Sequence, residues 1–250
     1  MTTVFVADAH LLGRKDPNQA SLVRFVDSLK NVETFVVLGD LFDYWVGYNR
    51  VVYKEYAPIL ESFSRLVERG TKFVYIEGNH DFLMGEYFTK TLGADVYEES
   101  AIIDTEGMHI FLAHGDTVKM TVGYERWRKF ARGPYARLLT ILLGSRGAWW
   151  LARRISKNSR AKSMAKYKAG SELDNRLREA ARFKIDKTGV DAVVMGHSHS
   201  PGVHDVIARG LRAVYANPGA WVDNGRYMEY SYGEFRLKEF GDQPKEEEST

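Results

Sequence analysis

Five short apolar runs in this chain each end directly in a polar cluster, and this ordering constrains the possible folds more than any other feature. Residues 3–7 lead into Asp8-Ala9-His10, residues 34–38 into Gly39-Asp40 and on to Asp43, and residues 72–77 into Gly78-Asn79-His80-Asp81. Residues 109–113 lead into His114-Gly115-Asp116, and residues 190–195 into Gly196-His197-Ser198-His199. Short apolar runs rich in Val, Ile and Phe and closed by turn residues read as buried strands. Between the first three lie helical patterns. Residues 18–30 carry Leu22, Phe25, Val26 and Leu29 on one face, and residues 54–69 end at Gly70, which suits a helix C-terminus. Strands alternating with helices predict βαβ units, in which the C-terminal ends of the strands share one edge. Asp8, His10, Asp40, Asn79, His114, His197 and His199 are therefore expected to converge there. With His80 included, five of the seven histidines fall in these loops.

The remaining elements are read in the same way. A short helix is expected near residues 82–92, and Gly133-Pro134 opens a helix through 138–143 that resumes over 148–155. Ser171 and Asp174 are spaced as a capping box for a helix ending near Gly189. A strand at 211–216 runs into Asn217-Pro218-Gly219-Ala220-Trp221, followed by antiparallel strands at 227–232 and 234–240. The expected organisation is a core of residues 1–118 and 190–240, a helical insertion at 119–189 and an acidic tail at 241–250.

Charge singles out the insertion. From Arg126 to Lys168 there are thirteen Lys or Arg and no Asp or Glu, although the net charge of the whole chain is only +2. Such a block faces an anionic partner. The chain has no cysteine, which excludes disulfides, thiolate ligands and cysteine nucleophiles. No basic and apolar leader opens the sequence, and no apolar run reaches the roughly 20 residues that span a bilayer. The expectation is a cytoplasmic protein, free or resting on a membrane surface.

Imidazoles, carboxylates and an amide gathered at one sheet edge are the donors of a metal or phosphate site. The ordered motifs Asp8-x-His10, Gly39-Asp40-x-x-Asp43, Gly78-Asn79-His80-Asp81, His114 and Gly196-His197-x-His199 resemble the calcineurin-like metallophosphoesterase superfamily. That resemblance implies a four-layer αββα β-sandwich, of α+β or α/β class, with the basic amphipathic helices as an inserted lid. It also implies two divalent ions, one held by Asp8, His10, Asp40 and His199 and the other by Asp40, Asn79, His114 and His197, with Asp40 bridging. A bridging carboxylate offsets the repulsion of two close dications. The superfamily favours Mn, while nitrogen and oxygen donors equally suit Fe, Co, Ni or Zn. Asp43, Asp81 and Asp116 are expected to orient histidines or loop amides around the ligands. His109 and His204 read as surface or strand-end residues.

Within the superfamily, the stretches at 39–47, 79–83, 114–117, 196–201 and 219–221 resemble the UDP-2,3-diacylglucosamine diphosphatases of lipid A synthesis. Those enzymes carry a helical insertion at the same place. The resemblance implies hydrolysis at the α-phosphorus to UMP and 2,3-diacylglucosamine 1-phosphate, at the inner-membrane surface of a Gram-negative cell. An apolar groove including Trp149 and Trp150 would take acyl chains. Arg153, Arg154, Lys157, Arg160, Lys162 and Lys166 would meet the diphosphate or anionic head groups. Neither a nucleic acid nor an obligate protein partner is expected. The chain departs from many members of that group at His80, where they carry Arg. His80 joins Asp40 and Asn79 in the expected catalytic set, and unlike Arg it can lose a proton. It therefore admits activity on other phosphoesters: a nucleotide, a phosphodiester or a protein phosphate.

Overall fold

The computed structural model describes residues 2–47, 52–118, 122–136, 170–208 and 210–241, together with positions 138, 142, 143 and 147. Two sheets pack face to face. In the first, β1 (Thr2–Val6), β2 (Thr34–Leu38), β4 (Lys72–Ile76) and β6 (Asp95–Tyr97) are parallel. The antiparallel β12 (Arg226–Ser231) and β13 (Glu234–Glu239) extend it, giving the order β13-β12-β1-β2-β4-β6. The second sheet runs in the order β10 (Gly202–Ala208), β11 (Leu211–Asn217), β9 (Ala192–Met195), β8 (Met108–Ala113), β7 (Ser100–Thr105). A small parallel pair, β3 (Trp45–Val46) and β5 (Asp81–Phe82), joins two of the site loops.

The core explains the layering. Phe5, Val36, Val74, Ile110, Leu112 and Val194 point between the sheets and exclude water there. The opposite face of the first sheet, with Val4, Val6, Phe35 and Phe73, packs on α1 (Pro17–Ser28) and α2 (Ala57–Glu68). The outer face of the second sheet, with Phe111, Val193 and Tyr215, packs on Leu177, Ala181 and Ile185 of the helix Gly170–Thr188. The result is the four-layer αββα sandwich expected from the motifs. Asp16 starts α1 by accepting from the Asn18 amide at 3.0 Å, ahead of Pro17. Gly70, at φ +92°, ends the α2 region as the sequence suggested.

Register places the loops. Val6 pairs with Val37 and Val37 with Tyr75, while Ala113 pairs with Met195. All five chain segments therefore leave their strands at one edge.

Several expectations are corrected. The short helix expected near 82–92 is present over residues 85–91 but starts later, because β5 takes Asp81–Phe82, and is π-helical at Tyr87–Thr91. The helix expected to start at the Ser171 position already includes Gly170, and Asp174 pairs one turn on with Arg178 at 2.6 Å. That helix, which falls within the 119–189 span, forms the outer layer on the second sheet. Of the insertion, α3 (Val122–Ala131) is described, positions 134–136, 138, 142, 143 and 147 are helical, and helix α4 is Gly170–Thr188. Among the described residues no helix is long and apolar enough to cross a membrane.

Candidate metal centre

The loops leaving the strands are held in backbone conformations that residues with side chains rarely adopt. Asp8, His10, Asp40, His197 and His199 all have φ between 45° and 65°. Five such residues in one cluster store strain that the surrounding structure must offset, an arrangement typical of functional loops. Cross-loop hydrogen bonds do the holding. The His10 amide donates to the Asp40 carbonyl at 3.0 Å, and the Gly196 amide to the His114 carbonyl at 3.0 Å. The His197 amide donates to Asp8 Oδ2 at 2.9 Å, and the His80 amide to Asp40 Oδ1 at 2.9 Å.

Three groups of donor atoms result, each lying within 4.8 Å of one another and suited to a cation: Asp8, His10 and His199; His10, Asp40 and His80; Asp40, His114 and His197. Asp40 belongs to two of them. Asn79 joins the third through its side-chain oxygen, 3.3 Å from His114 Nε2. All seven residues expected to converge therefore do so, with His80 beside them.

The titration state of the cluster follows from burial and mutual contact. Burial pushes the pKa values of His10 and His197 down to about 4, which leaves neutral imidazoles. Burial also disfavours a charged His114, but the Asp40 carboxylate 3.5 Å away outweighs it and holds His114 well above the usual range. His199, 3.5 Å from Asp8 Oδ1, is raised for the same reason against the same opposition. Burial would raise Asp8 and Asp40. The neighbouring His199 lowers the first, and His114 and His80 hold the second well below the ordinary carboxylate range.

The donor set fits divalent metal ions. Asp8 Oδ1 is enclosed and, among the described residues, accepts no hydrogen bond; it faces His10 Nε2 at 4.0 Å and His199 Nε2 at 3.5 Å. A buried carboxylate oxygen left this way normally has a cation or donor to meet. His114 Nδ1 lies 2.7 Å from the Leu38 carbonyl, which can only accept, so Nδ1 carries the proton. That leaves Nε2 turned toward Asp40, Asn79 and His197, where the proton that Asp40 stabilises would give way to a bound cation.

The three supporting aspartates differ in what they touch. Asp81 is fully buried and accepts from the Asp40 and Gly78 amides on Oδ1, at 2.9 and 3.0 Å, and from the Phe42 amide and the Tyr75 hydroxyl on Oδ2, at 3.1 and 2.6 Å. Burial and the charge of Asp40 still raise its pKa to about 7. Asp43 meets His80 through its backbone carbonyl, 3.0 Å from Nδ1. Asp116 accepts from the Tyr124 hydroxyl of α3 at 2.6 Å. Sequence reading passed over Tyr75, Asn217 and Asp223. Asn217 is buried and donates to the Gly196 carbonyl and Ser198 Oγ, at 3.1 and 3.0 Å, bracing the His197–His199 turn; Asp223 lies 3.8 Å from His199 Nδ1. The Asn-Pro-Gly turn after an apolar strand was the available signal for Asn217. His109 is exposed on β8, and His204 stacks on Tyr215. Trp149, Trp150, Arg153, Arg154, Lys157, Arg160, Lys162 and Lys166 lie outside the described residues.

The calcineurin-like phosphoesterase family model matches residues 1–201. A UDP-2,3-diacylglucosamine hydrolase of Aeromonas salmonicida is 29% identical over 250 residues, covering 96% of this chain and 93% of its own. One from Escherichia coli O7:K1 is 27% identical over 244 residues, covering 96% and 99%. Among solved structures, an archaeal phosphodiesterase aligns with a TM-score of 0.50 at 13% identity over 96% of this chain and 99% of its own, a likeness of fold alone.

Proposed function

The chain belongs to the calcineurin-like phosphoesterase family, and from that premise we propose that it hydrolyses the diphosphate of UDP-2,3-diacylglucosamine to UMP and 2,3-diacylglucosamine 1-phosphate, a step of lipid A synthesis. The observation that carries this reading is near full-length similarity to hydrolases of that substrate, combined with convergence of the motif residues on one edge of the sandwich. Asp8, His10, Asp40 and His199 would hold one divalent ion and Asp40, Asn79, His114 and His197 the other. Mn is the first metal to test and Fe, Co, Ni or Zn are alternatives. Bound there, the ions supply Lewis acidity at the phosphoryl oxygens and a water that loses its proton near neutral pH.

The chain's own side chains do the rest. Asp40 sets the spacing of the two halves, and Asp81 fixes Asp40 through its amide. His80 is anchored by Nδ1 on the Asp43 carbonyl and presents Nε2 4.0 Å from Asp40 Oδ2, where it would brace the phosphate or protonate the leaving oxygen. The insertion at 119–189 would take the acyl chains through its apolar residues, including Trp149 and Trp150. The diphosphate or lipid head groups would fall to Arg153, Arg154, Lys157, Arg160, Lys162 and Lys166. On this reading the enzyme works at the cytoplasmic face of a Gram-negative inner membrane. Turnover of the lipid substrate with Mn in ¹⁸O-labelled water, followed by ³¹P NMR, tests the proposal. Label on the UMP phosphorus is expected, whereas absence of turnover or label only on the lipid phosphate refutes the substrate or the point of attack.

One observation favours a second reading. His80 shares a donor group with His10 and Asp40, so it reaches the reacting centre itself. An imidazole there suits small phosphodiesters as well, and a higher kcat/KM on such diesters than on the lipid would select that reading.

A further inference from the structure

Helix α3 meets the metal centre along one stripe. Tyr124, Arg128 and Arg132 recur at every fourth position, spanning α3 and the turn after it, and so lie on one face. Arg128 Nη1 donates to Glu99 at 2.9 Å on the rim, where the Glu99 side chain is 61% exposed. Arg132 is different. Its Nη1 donates to Glu77 Oε2 at 2.6 Å, with side-chain exposures of 14% for Arg132 and 3% for Glu77. The other carboxylate oxygen of Glu77 accepts the Met84 amide at 3.0 Å. A single side chain therefore ties both ends of the 77–84 segment, and that segment presents Asn79 and His80. Arg132 also stacks on Phe82 inside the segment, its guanidinium carbon 5.0 Å from the ring centre.

We infer that Arg132 is a positioning residue: by pairing with Glu77 and covering Phe82, it fixes the turn that carries Asn79 and His80, and so couples docking of the insertion's first helix to the geometry of the metal centre. The inference rests on the reading of Asn79 as a metal ligand. The physical reason is the cost of leaving a buried carboxylate without its countercharge. Without Arg132, the Glu77 carboxylate is drawn out toward water, and turning out weakens its hold on the Met84 amide. The segment then loosens at the end opposite Asp81. Arg128 pairs across the same seam but at a wet rim, where an ion pair contributes little.

The test compares Arg132→Met, Arg132→Lys, Glu77→Gln, the Glu77→Gln/Arg132→Met double variant, Arg128→Met and Asn79→Ala in the full chain. Mn affinity is measured by titration calorimetry, and kcat and KM on bis(p-nitrophenyl) phosphate, with circular dichroism as the check on folding. Loss of a partner that orients a metal ligand costs about tenfold or more. Arg132→Met is expected to lower Mn affinity and kcat by about that factor with little change in KM. Arg132→Lys should recover most of the loss, Arg128→Met should stay within about twofold, and the double variant should be no worse than the poorer single one. Equal losses from Arg132→Met and Arg128→Met, or additive losses from Glu77→Gln and Arg132→Met, would overturn the coupling. Should Arg132→Met fail to fold, Arg132→Lys and Glu77→Gln decide by the same criterion. Unchanged Mn binding in Asn79→Ala would instead refute the ligand assignment, leaving the two failures distinguishable.

Discussion

Gly78 shows how tightly single residues constrain the centre. A Cβ at that position would sit 2.2 Å from Asp40 Oδ1 and 2.5 Å from the Asp40 amide, so the loops bearing Asp40 and Asn79 meet only because that side chain is missing. Gly78→Ala is expected to push Asp40 out of register and lower divalent-metal affinity by at least about tenfold, read by titration calorimetry. An affinity within twofold of the parent would mean that the loops adjust freely. Charge at single residues sets the pH dependence. Between about 4 and 6.5, native His10 and His197 bind fewer protons than they do in the unfolded chain, so stability rises with pH across that window and is lost on acidification through it. Asp81, raised to about 7, acts in the opposite sense from its unfolded value near 3.8 upward, because the folded state retains a proton that the unfolded chain has given up. Below about pH 6 two histidines outweigh one aspartate. Above it His114 and His199, held above their ordinary range, keep protons that the unfolded chain gives up and oppose the rise. The metal-free protein should therefore gain stability from about pH 4.5 to 5.5 in urea titrations. His197→Asn should flatten that slope by up to about 1.4 kcal/mol per pH unit; an unchanged slope would remove His197 from the account.

At the scale of elements, α4 carries the clearest energetic consequence. Leu177 is fully buried against the second sheet, with Cδ2 3.2 Å from where a Cβ on Gly115 would lie, beside the His114 and His197 loops. Leu177→Ala should destabilise the protein by about 2–5 kcal/mol, measured as a lower urea midpoint at constant m. The same helix marks a limit of the sequence reading. It lies within the 119–189 span read as the insertion, and the spacing of Leu177, Ala181 and Ile185 is the signal of its buried face. Strands β1, β2, β4, β8 and β9 were legible because burial on both faces makes them continuous apolar runs. β7 and β10 were not recognised as strands. Each has one face to solvent and alternates, Ala101, Ile103 and Thr105 inward with Ser100, Ile102 and Asp104 outward, a weaker signal that asks for a period of two instead of a run. The metal-ligand candidates were legible because each follows a strand at once. Glu77 and Arg132 were not, because their partnership depends on how an insertion docks, and no local pattern encodes that.

For the molecule as a whole, the question is which way the insertion faces. The inner stripe of α3 is committed to Asp116, Glu99 and Glu77. The outer stripe consists of Val122, Arg126, Lys129 and Phe130, with Val122 66% and Phe130 60% exposed, and Leu142 further along is 75% exposed. Apolar and basic residues together on an outward face suit an anionic membrane surface, where the cations approach the head groups and the apolar side chains enter the boundary layer. Each cation near such a surface contributes about 1 kcal/mol, and that share disappears with screening as the Debye length falls from about 8 Å at 0.15 M salt to about 3 Å at 1 M. Co-sedimentation with phosphatidylglycerol vesicles should therefore be strong at low salt and weak in 1 M salt, and poor with neutral phosphatidylcholine at any salt. Val122→Ser and Phe130→Ser should reduce vesicle binding while leaving hydrolysis of a small soluble diester unchanged, since neither residue lies on the inner stripe. If the vesicles are ignored at low salt while duplex DNA is bound with steep salt dependence, the basic block faces a nucleic acid. If neither is bound, its charge is spent on the substrate alone.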